Sequence, residues 1–304
     1  MVGSGAPQVV TKLAYEVVAI FGPTASGKSA VAQHVANALR TEVVSADALQ
    51  VYRRLAILTN QPTESTRLVG IRDPAETMSV GEYATLAHDA IDELVRMYGA
   101  AVVAGGTGLY LRAALANLEI PPAVDASERT RLEELYDDDP DRVYARLAEL
   151  DPAAAASVHV NDRRRVVRAL ELATVGATLA PASDRLWSEA TRKPTVIVGL
   201  ELPRGELDRR IAARTDEMIR RGVVEEVRDV LRERVSDTAR QALGLDELAT
   251  LPLAEARERI VVRTQRYAAY QRKWMRRIPG IVMIDADRSV VQVADAVLDV
   301  ARGR

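Results

Sequence analysis

Cysteine is missing altogether from the 304 residues, which removes disulfides and thiolate metal centres from consideration. No apolar run is long enough to span a bilayer. The N-terminus also lacks the apolar region of a secretory signal. "MVGSGAPQ" reads as a flexible lead-in, and the expected location is the cytoplasm. A large excess of one charge is lacking too: the net charge of −2 does not by itself announce a nucleic-acid binder. Internal repeats and low-complexity segments are absent as well. What is present, 48% hydrophobic and 28% charged residues, is the composition of an ordinary globular chain with room for one large or two modest domains. Nothing in it demands more than a monomer.

Charge is distributed unevenly. Residues 125–151 are mainly acidic and include Asp137-Asp138-Asp139. Residues 254–277 carry eight basic side chains against Glu255 and Glu258, and "NDRRRVVR" (161–168) is a second basic cluster. Each basic cluster is either a solvated helix face or a surface for a polyanion.

The first third alternates strand and helix. "YEVVAIF", "EVVSAD" and "AAVVAGG" read as strands, with helices after the first and over 80–98. That is the rhythm of a parallel sheet covered by helices. Between about 120 and 192 helices dominate (127–136, 141–150, 162–174), bracketed by Pro121-Pro122 and Lys193-Pro194. "TVIVGLEL" returns to strand. Helices over 204–221, 223–232 and 253–277, a strand "GIVMID" and a helix over 289–301 follow. The expected fold is α/β: a P-loop NTPase-like core with a parallel sheet and helices on both faces (1–118 and 193–304), interrupted by a helical insert domain (119–192).

Gly22-Pro23-Thr24-Ala25-Ser26-Gly27-Lys28-Ser29 fits G-x-x-x-x-G-K-[ST] between a strand and a helix. Glycine lets consecutive backbone N–H groups turn towards an anion, and the helix that follows adds the positive end of its dipole. Lys28 would reach the terminal phosphate, and the Ser29 hydroxyl would face Mg²⁺. The helix should bury Ala30, Val31, Val35, Ala38 and Leu39, with His34 solvated or partly packed.

P-loop enzymes that cut a nucleotide usually place an acid at the end of a neighbouring strand. Here "AAVVAGG" ends in Gly105-Gly106, and Asp285 at the end of "IVMID" lies far along the chain. Asp47 follows the second strand directly, so it should sit at the carboxyl edge of the sheet. On position alone it is a partner of Mg²⁺ through water, a general base, or the N-cap of a helix over "ALQVYRRL". "GGTGLYLRAAL" (105–115) brings a second glycine turn, with Thr107, to the same edge; taken alone it could be no more than a tight turn.

In order along the chain, "GPTASGKS", "SADALQVYR", "GGTGLYLRAAL", "DPAAAASVHVNDRRRVVRALE", "IAARTDEMIRRGVVEEV" and "WMRR" resemble the tRNA dimethylallyltransferase family, over about residues 17–277. The resemblance implies that the loop holds the diphosphate of dimethylallyl diphosphate rather than ATP. It implies that adenine N6 of an adenosine next to the anticodon (position 37) attacks C1 of the prenyl group, with Mg²⁺ as cofactor. By the same matching, Asp47 is the base and Arg214 contacts the diphosphate, with Thr24 and Thr107 beside the reacting groups. Asp47, Ala48, Leu49, Gln50, Thr107, Arg129, Arg164, Arg165, Val166, Val167 and Arg168 match positions that contact tRNA. The partner implied is the anticodon stem-loop, clamped by the insert.

The chain departs from that pattern in three places, one of them "STRLVGIRDP", which occupies the space of the usual paired histidines. "RRLAILTNQPTE" stands where many members have G-T-A-K-P, so Gln61 replaces a lysine. The helix signature R-Q-x-A-K-R-Q reads "TQRYAAYQRKW", so several basic positions are altered. "LTNQP" also resembles isopentenyl transferases of plant type, some of which prenylate free AMP, ADP or ATP. That is the alternative acceptor. A P-loop kinase or ATPase, or a tRNA-binding protein without catalysis, are the readings outside this chemistry.

Overall fold

The computed structural model describes residues 13–118, 121, 124–180 and 188–303; the lead-in lies outside them. The chain forms two compact units, one of residues 1–117 with 186–304 and one of residues 118–185.

The larger unit is built on a sheet of six strands: β1 (Val17–Phe21), β2 (Val43–Ser45), β3 (Thr66–Arg67), β4 (Ala101–Gly105), β5 (Thr195–Glu201) and β6 (Val282–Asp285). Their order is β3-β2-β4-β1-β5-β6 and every pairing is parallel. β1, β2, β4 and β5 are short runs rich in valine. Both faces of β1 are buried throughout, which is why it shows no alternation of polar and apolar residues. β1 lies between β4 and β5, and β4 lies between β1 and β2. The segments that leave the carboxyl ends of β1, β4 and β2 are therefore neighbours in space, although residues 22, 47 and 106 are far apart in sequence.

Helix α1 (Lys28–Leu39) buries Val31, Ala32, Val35 and Ala36. Ala30 and Ala38, expected inside, are exposed. The stripe is turned because α1 is covered on one side by the sheet and on another by α12 (Val290–Ala301), whose Val293, Ala294, Val297 and Leu298 share its core. His34 is half-buried, as expected. Helix α2 (Val80–Tyr98) starts at Ser79, whose side chain accepts from Glu82 N, and stops at Gly99 in the left-handed conformation. The unit is completed by α3 (Gly108–Leu115), α8 (Arg204–Arg220), α9 (Val223–Val230), α10 (Leu245–Thr250) and α11 (Leu253–Met275). Strand β3 and helix α10 are too short for periodicity to reveal. β3 is held to β2 by pairing and by Arg67, which donates to Glu42 at 2.6 Å.

The smaller unit contains α4 (Ala126–Asp138), α5 (Pro140–Leu150), α6 (Pro152–Ser157) and α7 (Arg163–Thr174). Leu132, Tyr136, Val143, Leu147, Ala154, Val166, Val167 and Leu170 form its core. The acidic run does local work. The Asp139 side chain caps α5 through Arg142 N, and Asp137 pairs with Arg163 at 2.7 Å. The insert ends earlier than residue 192, because the residues just before Lys193 are fastened to the larger unit. Arg112 Nη2 donates to Ser188 O at 2.8 Å, Arg192 N to Leu115 O at 2.8 Å, and Arg192 Nη2 to Asp92 at 2.8 Å.

Candidate active site

After β1 the chain turns sharply at Ala25 (φ 64°) and Gly27 (φ 87°), with Ser26 N donating to Pro23 O. The second of these angles suits glycine. No side chain caps the N-terminus of α1. Its first-turn amides therefore face outward beside Lys28 and Ser29, an arrangement suited to an anion.

The Thr24 amide is turned the other way: Thr24 N donates to Gln271 Oε1 at 2.7 Å. Gln271 Nε2 in turn donates to Gly106 O at 2.9 Å. One buried amide on α11 thus ties the loop after β1 to the loop after β4. A side chain at Gly106 would strike Gln271 Nε2 at 2.2 Å, and one at Gly108 would strike the Trp274 ring at 2.1 Å. These glycines are needed for the close approach of α11; neither has a positive φ.

After β2, Asp47 Oδ1 accepts from Leu49 N at 2.9 Å and Gln50 N at 3.4 Å. Asp47 caps a turn; the helix expected over "ALQVYRRL" does not form, and residues 48–54 are turns and a bridge. The cap uses one carboxylate oxygen and leaves Oδ2 for the cavity. Ala48 N donates to Thr107 Oγ1 at 3.4 Å, so the turns after β2 and β4 touch.

These pieces surround a cavity of about 420 Å³ lined by Thr24, Lys28, Ser29, Asp47, Gln50 and Arg214, among others. Arg214 reaches in from α8, and its Nη1 donates to Thr24 Oγ1 at 2.7 Å. The rest of the wall mixes apolar side chains (Leu58, Ile211, Met218, Leu243 and Ile260) with polar ones, among them Thr59, Asn60, Arg210, Thr264 and Gln271. A more open hollow of about 550 Å³ on the outer face of α10 and α11 has no phosphate-holding loop.

Burial lowers the Lys28 ammonium to about 8; Asp47 opposes that shift and Arg214 adds to it. Arg214 is also lowered by burial, with Asp47 acting against it. Burial raises the Tyr267 hydroxyl to about 12, helped by Asp47 and opposed by hydrogen bonds to Thr107 and Gln271. Lys28 and Arg214 therefore share the cavity with a single carboxylate, and Arg210, paired with Glu206, adds a third cation to its wall, a balance that favours an incoming polyanion.

The residues expected to meet there largely do. Gly22 and Pro23 are buried under the loop, and Ser26 is buried with its hydroxyl unpartnered. Ala25 and Ser29 line the cavity. The expected tRNA contacts Arg129 and Arg164 to Arg168 belong to the smaller unit. Arg164 and Arg165 are exposed there. Arg129 Nη2 donates to Glu171 at 2.9 Å and Arg168 Nη1 donates to it at 3.0 Å. Val166 and Val167 are 0% and 3% exposed, so their side chains lie in that unit's core and only their main chain is left for the expected contact. The basic run of α11 is also less free than it reads. Arg257 pairs with Asp216, Arg259 with Glu255, Arg263 with Glu247 and Arg272 with Glu201.

Sequence reasoning missed Gln271, Tyr267 and the apolar part of the wall. Gln271 could have been found, because it falls on the buried stripe of α11 with Ala268 and Met275 at helical spacing. A glutamine there needs partners. Gln61, which replaces the family lysine, has a structural task. Its Nε2 donates to Gln50 O at 3.1 Å and Tyr52 O at 2.7 Å, closing the loop that carries Leu58, Thr59 and Asn60 into the cavity.

Comparison with known proteins agrees with this geometry. The family described as IPP transferase matches residues 50–278, and that described as Isopentenyl transferase matches residues 15–73. The chain is 38% identical over 303 residues to a tRNA dimethylallyltransferase of Acidothermus cellulolyticus, covering 95% of this chain and 92% of the relative. Among solved structures, it is similar to the full-length tRNA isopentenylpyrophosphate transferase of Bacillus halodurans. That match has a TM-score of 0.66 and 30% identity, covering 93% of this chain and 95% of the other. A eukaryotic dimethylallyltransferase captured acting on tRNA matches with a TM-score of 0.77 and 25% identity, covering 95% of this chain and 80% of the other.

Proposed function

The chain belongs to the IPP transferase family, and on that premise we propose that it moves the dimethylallyl group of dimethylallyl diphosphate onto N6 of adenosine 37, beside the anticodon of tRNA, and releases diphosphate. One observation carries this reading. A single cavity combines a phosphate-holding loop and the cations Lys28 and Arg214 with a group of apolar side chains and one carboxylate. A nucleotide-cleaving site has no use for Leu58, Met218, Leu243 and Ile260; a branched five-carbon chain has.

In the reaction, the N6 lone pair attacks C1, the C1–O bond breaks, and its electrons leave with the diphosphate. Lys28, Arg214 and the loop amides neutralise the charge that develops on the leaving group. The Thr24 hydroxyl keeps Arg214 in place. Asp47 Oδ2 accepts the N6 proton, while Oδ1 stays fixed by the two amides of its turn. Thr107 meets both the turn of Asp47 and the Tyr267 hydroxyl, and so sets the edge of the adenine site.

The donor set fits Mg²⁺. The Ser29 side chain lies on the cavity wall, and among the described residues no three His, Asp or Glu gather into a closed cage. Such a site suits an ion held mainly by substrate phosphates and water. Bound there, Mg²⁺ would supply further charge neutralisation to the diphosphate.

The anticodon stem-loop is the partner proposed for the smaller unit, through Arg164 and Arg165 and the pair of arginines on Glu171. A monomer suffices, because one chain supplies every wall of the cavity.

A second reading keeps the chemistry and changes the acceptor to free AMP or ATP. The match of residues 15–73 to Isopentenyl transferase favours it. The test is one assay with Mg²⁺ and labelled dimethylallyl diphosphate, offering unmodified tRNA or AMP and ATP. Label on tRNA alone is the expected result; label on the nucleotide alone overturns the tRNA reading.

A further inference from the structure

Tyr267, Tyr270, Gln271 and Trp274 lie at i, i+3, i+4 and i+7 on α11, and so on one face of it. Tyr267 and Gln271 line the cavity. Tyr270 and Trp274 continue the same face beyond it. The Trp274 ring lies directly on Gly108, the residue after Thr107. Thr107 in turn meets the Asp47 turn through Ala48 N. The aromatic pair thus adjoins the acceptor side of the site rather than its phosphate side.

Tyr270 is 57% exposed, an unusual position for an aromatic in a chain where aromatics are 4% of residues. It is also ordered by its neighbour: Trp274 Nε1 donates to the Tyr270 hydroxyl at 2.8 Å. That bond uses the only donor of the indole and holds the Tyr270 ring in place, while the Trp274 ring lies against Gly108.

We propose that Tyr270, held in place by Trp274, stacks the nucleobase next to the target adenine once that adenine has been extruded into the cavity. The proposal rests on the tRNA reading above. Extruding a base strips its neighbour of a stacking partner, and an aromatic platform replaces that partner whatever the base. A free nucleotide has no neighbouring base, so the Tyr270 ring would favour RNA over AMP.

The test compares wild type, Tyr270→Ala and Tyr270→Phe on an anticodon stem-loop RNA, and on two versions with one abasic nucleotide 5′ or 3′ of the target adenosine. Tyr270→Ala should raise the KM for intact RNA about 5- to 100-fold. It should leave the KM for dimethylallyl diphosphate, the melting temperature and the salt dependence of RNA binding unchanged. Tyr270→Phe, which keeps the ring, should stay close to wild type. One of the abasic RNAs should erase the difference between wild type and Tyr270→Ala. An equal loss on all three RNAs, or no loss on intact RNA, overturns the proposal while wild-type turnover upholds the tRNA reading. A wild-type enzyme inactive on every RNA overturns both.

Discussion

Replacing Gln271 by leucine should weaken the enzyme far more than a polar-to-apolar change on a helix usually does. The side chain is 2% exposed and holds Thr24 N at 2.7 Å and Gly106 O at 2.9 Å. Leucine fills similar space, so the loss is not mainly that of a cavity. It is one buried donor and one buried acceptor left without partners, each costing about 1–3 kcal/mol. The sum is about 4 kcal/mol at mid-range, and for a unit of this size about 2–4 °C of melting temperature is lost per kcal/mol. Thermal unfolding followed by circular dichroism should therefore show a drop of about 8–16 °C. Because Thr24 anchors both the loop and Arg214, the KM for dimethylallyl diphosphate should rise in the same variant. Gln271→Glu keeps the acceptor for Thr24 N but loses the donor to Gly106 O, and it should fall between the two proteins. A melting temperature for Gln271→Leu within 2 °C of wild type would refute the bridge.

Two further predictions concern charge. The free enzyme binds diphosphate best with Lys28 protonated, and that proton is lost as pH rises through about 8. The kcat/KM for dimethylallyl diphosphate should then fall with rising pH through this range, while kcat at saturation stays level further, because bound diphosphate favours the ammonium; a kcat/KM flat to pH 9.5 would remove Lys28 from binding. Asp47→Asn preserves an oxygen for Leu49 N and Gln50 N but removes the base, so kcat should fall about 10²-fold or more with RNA affinity retained. The same change should move the alkaline limb of kcat/KM to lower pH, since the carboxylate holds the Lys28 value up. Wild-type kcat in Asp47→Asn would exclude Asp47 as the base.

Much of the architecture was legible in the amino-acid order, because the signals were local. The run "VVAIF", the glycines and lysine of the loop, and the apolar periods of α2, α7 and α11 each report short-range preference. Order along the chain was enough to place Lys28, Asp47 and Thr107 at the ends of strands. Distant contacts were not legible. Nothing near Gln271 says that its amide closes against residues 24 and 106, and nothing in "RRRVVR" says that Val166 and Val167 face inward while Arg164 and Arg165 face out. Gln61 looked like a lost functional lysine until its bonds to Gln50 and Tyr52 showed a structural task. By itself the sequence determined the elements, the phosphate loop and the residue types available for chemistry, because these follow from backbone propensity and spacing. The tertiary structure alone decided which side chains share the cavity, because strand order and the close approach of α11 to the glycine turn bring together residues up to 247 positions apart.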